Sequence, residues 1–458
     1  MEDISQPENE ETLDSIGITE EIGGIIQSDY FAISPLDSQL YSLYIPKKVK
    51  RALERTSRVL LRTKVHQDRN TAIELCLLFC AKITNDYIKQ KLYRKEEHEE
   101  LNEWVQLRAK YLRTYFGSKW GDYSIIKEFL ISNGIIECNY KSKFRKYCYG
   151  YRLGSNYKGK GEELYEFKTK EAKRLIEREY ERTRKELLQN PICLNLIEFL
   201  KQVQLPTEDA IKKAAKDLVR SGYKSKKGKL LSFLYNHPRK SIKDNQSKSF
   251  VEEDIKIYKY LLNTSLMYPK VGSKESGGRI KHSFCLMPSW IRNLIRVNGV
   301  PFFECDYSCL HPNIAIAIYG GKGAYLTHQK IADDLLIDVG EVKRLHLSFF
   351  NSKCWQIEDS ELYEYYKKHE PIMLHYLMIE KKRSGYKHKI TPRRMFAKEV
   401  EIMTDVIIKL NSEGIYVGYV YDALFCHPRH KLRVKEVMDE IVLKHGVKTE
   451  AKLKEAKN

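Results

Sequence analysis

Apolar residues recur at helical spacing over residues 48–115, where Leu60, Leu61, Ile73, Leu75, Leu77 and Leu78 stand among charges and the last segment is Asn102–Tyr115. Residues 122–133 form a short amphipathic helix that stops at Asn133-Gly134. The period then changes to two. Ile135–Tyr140 and Tyr147–Leu153 alternate, with a basic turn Lys141–Lys146 between them, and read as a hairpin. Residues 155–265 return to helical spacing, with one long charged helix expected over Glu163–Asn190. Val271–Gly278 reads as a flexible loop.

From Arg279 onward the chain is richer in Gly, Pro and aromatic residues. Phe302–Cys305 reads as a buried strand that ends at Asp306, and a helix begins near Pro312, a residue suited to a first turn. Another helix is expected over Thr391–Leu410. Gly414 closes it. A strand, a tight turn at Tyr421-Asp422-Ala423 and a returning strand over Leu424–Cys426 follow.

Charge sharpens this pattern. The 458 residues hold 80 Lys+Arg and 61 Asp+Glu, a formal net charge of +19. Residues 1–40 contain ten acidic residues and neither Lys nor Arg, so the body carries +29 behind an acidic, mostly unstructured tail. Such a body fits a polyanionic partner, nucleic acid or an anionic membrane. No apolar run reaches the ~18 residues of a membrane span, which argues against a membrane partner. The N-terminus has no basic-then-apolar leader pattern. The ten cysteines form no C-x-x-C pair and no zinc spacing with His; Cys76 and Cys80 lie in an apolar run and read as buried thiols. The expectation is a cytoplasmic protein with reduced cysteines.

Two acidic residues carry the candidate chemistry. Asp306 follows a buried strand, and Asp422 sits at a hairpin tip between two apolar strands. Two carboxylates from different strands can hold two Mg²⁺ about 3.5–4 Å apart for phosphoryl transfer, which depends on positioned cations more than on acid–base side chains.

These residues lie in a recognisable order. Asp306-Tyr307-Ser308 before a helix resembles motif A of the family A DNA polymerases, and Tyr421-Asp422-Ala423 resembles motif C of that family and of the single-subunit RNA polymerases. Gly278-Arg279-Ile280 with His282-Ser283 looks like the segment upstream of motif A. Lys343-Arg344 through Asn351-Ser352 looks like the fingers helix of motif B. The resemblance covers roughly residues 275–430, and its "D-Y-S-x-x-H-P" variant is similar to polymerase-like proteins of phages and mobile elements. Departures are visible. Val339 stands where motif B has Arg, Asn351-Ser352 replace Tyr-Gly, and Ala423 replaces the Glu of DNA polymerases. Separately, the helix, Asn133-Gly134 and hairpin of roughly residues 70–153 resemble the closing part of a winged helix–turn–helix. The cations Lys141, Lys143, Arg145 and Lys146 at the hairpin tip are suited to phosphate contact.

The resemblance implies an α+β chain: a right-hand palm of antiparallel sheet with helical fingers and thumb, preceded by a mainly helical winged-helix-like domain. It divides the chain into a tail (1–40), a nucleic-acid-binding domain (41–154), a basic thumb-like region (155–270) and a palm with fingers (271–458). It implies a template-directed nucleotidyltransferase using Mg²⁺ or Mn²⁺, nucleoside triphosphates and primer–template DNA. Asp306, Asp422 and the carbonyl of Tyr307 would hold metal, and Lys343 would meet the triphosphate and protonate pyrophosphate. His311, Arg344 and Asn351 would line the nucleotide pocket. Arg279, His282 and Tyr421 would meet primer and template. His311, five residues after Asp306, stands where DNA polymerases exclude the ribose 2′-hydroxyl and favours deoxynucleotides. No acidic cluster for a proofreading exonuclease is present. Glu399 and Glu401 are expected on a solvated helix face. Two alternatives stay open: a single-subunit RNA polymerase or primase-like enzyme, which Ala423 favours, and a non-catalytic replication-initiator or regulatory DNA-binding protein, which the altered motif B favours.

Overall fold

The computed structural model describes residues 29–32, 40–93, 104–117, 123–140, 148–225, 228–237, 246–263, 269–323 and 325–455. Lys141, Lys143, Arg145 and Lys146 lie outside them, as does most of the acidic tail. The chain is α+β, with helices and small sheets arranged around three hydrophobic cores.

The first core runs from Ile45 to Ile176. It contains β1 (Ser42–Pro46), α1 (Arg69–Tyr93), β2 (Val105–Gln106), α2 (Tyr123–Ser132), β3 (Ile136–Cys138), β4 (Gly150–Leu153), β5 (Glu162–Glu166) and the start of α3 (Lys170–Leu187). The apolar run of α1 is buried almost whole, Cys76 and Cys80 included, and burial pushes the Cys80 thiol up to about 12. β3 and β4 pair antiparallel with Ile136 opposite Leu153, as the alternating runs predict, and β2 adds to the far side of β4.

The long helix expected from Glu163 begins instead as strand β5, because Glu162–Glu166 pairs with β1, Leu43 opposite Tyr165. Helix starts only after Thr169, whose hydroxyl accepts from the amide of Ala172. Buried Glu74 of α1 fastens this junction. It accepts from the Tyr165 hydroxyl at 2.9 Å, from the amides of Lys168 and Thr169 at 2.8 Å each, and from the Thr169 hydroxyl at 2.6 Å. A carboxylate with four donors is satisfied without water. Residues on both sides of position 154 contribute to this core.

The second core belongs to the C-terminal part, with α4 (Pro191–Leu200) joining it from upstream. Its elements are β6 (Phe303–Tyr307), α5 (Leu310–Ile318), α6 (Val339–Asn351), α7 (Ile390–Ser412), β7 (Gly418–Val420), β8 (Ala423–Cys426), α8 (Lys431–Lys444) and β9 (Ala451–Glu455). The strands form one antiparallel sheet in the order β7-β8-β6-β9. Strand alternation divides its faces. Cys305, Tyr307, Tyr419, Leu424, Cys426 and Ala451 turn into the core, while Glu304, Asp306, Lys452 and Lys454 turn the other way. Buried Asn195 of α4 fixes the entry to β7, donating to the Val417 carbonyl at 2.6 Å and accepting from its amide at 3.0 Å. A third core links the Val203–Pro206 and Val251–Leu262 segments to Phe302 and Phe425 beside this sheet.

Candidate active site

β6 lies between β8 and β9, with Asp306 opposite Ala423 on one side and Lys452 on the other. Asp422 precedes β8 in the hairpin turn, where Tyr421 takes a left-handed conformation with φ of 61°. The Tyr307 amide donates to the Asp422 carbonyl at 3.4 Å, so the main chains carrying the two aspartates are joined directly. The ring of Tyr307 turns inward, its hydroxyl donating to the Met438 carbonyl at 2.6 Å, so only its main chain borders the site.

The electrostatics of the pair are unequal. Burial pushes the Asp422 carboxyl up to about 7, helped by the negative charges of Glu399 and Asp306 and opposed by His311. Asp306 is paired with Lys454 of β9, Nζ to Oδ2 2.5 Å. Among the described residues no group of three or more His, Cys, Asp and Glu side chains could hold a metal ion.

Behind the aspartates is a cluster that the sequence reading misplaced. Glu399 of α7 is fully buried, not on a solvated face. Arg279 donates to it through both Nε (2.8 Å to Oε1) and Nη2, and His311 Nε2 lies 2.7 Å from Oε2. Burial opposes the ionised form, yet the hydrogen bond and charge of His311, together with Arg279, hold the Glu399 carboxyl below its usual range. The Arg279 guanidinium stacks 3.6 Å from the Phe396 ring centroid and 4.7 Å from that of Tyr421, which joins the cluster to the hairpin tip. Gly277 permits this approach. Its φ is +65°, and a Cβ there would lie 2.6 Å from the Ala397 amide nitrogen of α7. Glu401, by contrast, is exposed and pairs with Lys398.

A third group consists of Lys343 on α6, Cys309 before α5 and His328 at the start of the helix His328–Leu335. Lys343 is exposed on α6. Burial pushes the Cys309 thiol, before α5, up to about 12, with the charge of Lys343 opposing. Burial pulls His328 down to about 4, assisted by the charges of Lys343 and His311, so His328 is neutral at pH 7. His328 carries no motif that the sequence reading could have used.

Other expected site residues are engaged elsewhere. His282 is 1% exposed, and its Nε2 lies 2.5 Å from the Tyr419 carbonyl oxygen. It fastens β7 and has no surface with which to meet a nucleic-acid backbone, which corrects that expectation. Arg344 pairs with Glu341 one turn back on α6. The Asn351 side-chain amide donates to the Leu347 carbonyl at 2.7 Å on the same helix.

No protein-family model matches the chain, and no curated protein matches it. Among solved structures, the POL domain of Pol1 from M. smegmatis, in complex with DNA primer-template and dNTP, aligns at 11% identity and a TM-score of 0.35. The alignment covers 58% of this chain and 65% of that one, so the match spans less than two thirds of that domain. No helix among the described residues is long and apolar enough to cross a membrane.

Proposed function

We propose that the chain is a template-directed nucleotidyltransferase, and more narrowly a DNA polymerase without proofreading. One observation carries the reading: Asp306 and Asp422 stand at neighbouring strand ends of one antiparallel sheet, with their main chains hydrogen-bonded. The order of the polymerase-like motifs supports it, as does the charge of the body.

Two carboxylates and the Tyr307 carbonyl fit a small hard cation such as Mg²⁺, which takes one or two carboxylates and completes its shell with water and substrate phosphates. Burial raises the Asp422 carboxyl, with the negative charges of Glu399 and Asp306 adding to it, and a bound cation would favour its ionised form. Bound divalent ions would supply a lowered pKa for the attacking 3′-hydroxyl and neutralise charge on the triphosphate. The chain's own residues do the positioning. In this reading Lys343 meets the triphosphate and serves as proton donor to pyrophosphate. His311, held by Glu399, limits the space at the sugar. Tyr421, stacked under Arg279, stands beside the primer end. The sheet is the palm, α6 the fingers helix, and the basic residues of 155–270 the thumb. In the same reading Lys141, Lys143, Arg145 and Lys146 meet the duplex backbone, where each cation adds salt-dependent affinity without sequence readout.

Primer extension by the full chain with Mg²⁺, offering dNTPs and rNTPs separately, tests this. Extension with dNTPs is expected, falling to background in Asp306→Ala and Asp422→Ala chains that keep the wild-type circular dichroism. A mutant that matches wild type overturns the carboxylate assignment. Primer-independent use of rNTPs overturns the assignment as a DNA polymerase.

A further inference from the structure

Edge strand β9 brings to the site a residue that no polymerase-like motif includes. Ala451 and Leu453 pack on the core side, so Lys452 and Lys454 share the face of Asp306. Lys452 is the register partner of Asp306, yet it is Lys454, two pairs along and opposite Glu304, whose ammonium reaches back to Asp306 at 2.5 Å. The same Nζ lies 3.8 Å from Glu304 Oε1. The Lys454 side chain is 52% exposed, and the Asp306 side chain 23%.

We propose that Lys454 is a displaceable counter-ion of the paired carboxylates: its ammonium holds Asp306 in the metal-free chain and leaves when a divalent cation binds. The inference rests on the metal site proposed above. It follows from two properties of the contact. An ammonium nitrogen at hydrogen-bond distance from Oδ2 stands in the shell where a cation bound at about 2.0–2.1 Å would place its water and phosphate ligands. The ammonium and the cation compete for the same carboxylate oxygen and repel each other, which disfavours holding both. The lysine can go readily, because its stem is half in solvent and an exposed ion pair contributes little to stability. Swinging away gives up the contacts to Asp306 and Glu304 and leaves the ammonium on the same face as Lys452, where it can meet phosphate of a bound nucleic acid.

Lys454 thus makes cation loading a competition, and Mn²⁺ binding to the nucleotide-free full chain, followed by electron paramagnetic resonance, measures it directly. Lys454→Met is expected to bind Mn²⁺ about 3- to 5-fold more tightly than wild type, the range an exposed ion pair allows. Lys454→Arg, which keeps the charge, is expected to stay within about twofold of wild type by the same measure. Asp422→Asn is expected to lose the site. If Asp422→Asn loses binding while Lys454→Met binds like wild type or more weakly, the metal site stands and the counter-ion role is overturned. If wild type and Asp422→Asn bind alike, the metal site itself fails, and the proposal with it.

Discussion

The guanidinium of Arg279 donates to both oxygens of Glu399, a carboxylate buried completely in α7. The pair ties the loop before the sheet to the helix behind it, and His311 is the third member. A buried charge that loses its partner is costly, whereas removing both partners together is far less so. Glu399→Ala and Arg279→Ala are each expected to destabilise the chain by about 3–5 kcal/mol. The double replacement Arg279→Met with Glu399→Leu is expected to cost clearly less than the two single losses summed. Urea unfolding of all the variants reads this coupling, and simple additivity would show that the two side chains act independently.

Gly418 occupies a second contact that tolerates no side chain. A Cβ at this position would come within 2.8 Å of the Phe199 ring of α4 and 3.1 Å of the Phe425 Cβ. Gly418→Ala is expected to destabilise by about 1–3 kcal/mol through overpacking. Adding Phe199→Leu, which opens space at the ring, is expected to recover part of the loss. Thermal melts of the single and double variants decide it, and no recovery would place the strain elsewhere.

The strand that carries Asp306 was legible because its alternation and its acidic end are local features, and β6 starts one residue later and ends two residues later than expected, over Phe303–Tyr307. The hairpin at Asp422 was legible for the same reason. Strand β5 was not, since its partner Ser42–Pro46 lies some 120 residues earlier and local charge spacing favoured helix. Glu399 was misread although a signal existed. Met395, Ile402, Met403 and Val406, at positions −4, +3, +4 and +7 from it, are all buried, so Glu399 lies on the apolar stripe of its own helix. A charge on such a stripe calls for a buried partner, and Arg279 supplies it. The pairing of Lys454 with Asp306 depends on which strand takes the sheet edge, which no local pattern encodes.

Asp254 makes stability depend on pH. It is buried and accepts from the Trp290 indole at 2.7 Å; burial pushes its carboxyl up to about 6, with Trp290 and Ser249 opposing. A carboxyl with a folded-state pKa above its unfolded value binds more protons when folded between those two values. Its contribution is therefore most favourable below about pH 4 and is lost as pH rises through about 6. Asp254→Asn keeps an acceptor for the indole and does not ionise. It is expected to match wild type near pH 4 and to exceed it at pH 8 by up to about 3 kcal/mol. Urea unfolding at both values tests this, and a difference that stays constant with pH would show that Asp254 does not titrate in this range.

Lys343 and Arg344 are neighbours on α6 with different surroundings. The charge of Lys343 reaches Cys309 and His328, on the side of α5 and His311, whereas Arg344 is paired with Glu341. His328, pulled down to about 4, brings no positive charge at neutral pH, whereas the proposed function has Lys343 meet the triphosphate. Lys343→Ala is expected to lower kcat/KM for nucleoside triphosphate by about 100-fold, the scale of removing one group that stabilises developing charge. Arg344→Ala loses only an exposed ion pair on its own helix and is expected to change kcat/KM by less than about threefold. Steady-state incorporation kinetics separate the two. If Arg344→Ala has the larger effect, α6 presents its other edge to the triphosphate and the roles of the two cations are exchanged.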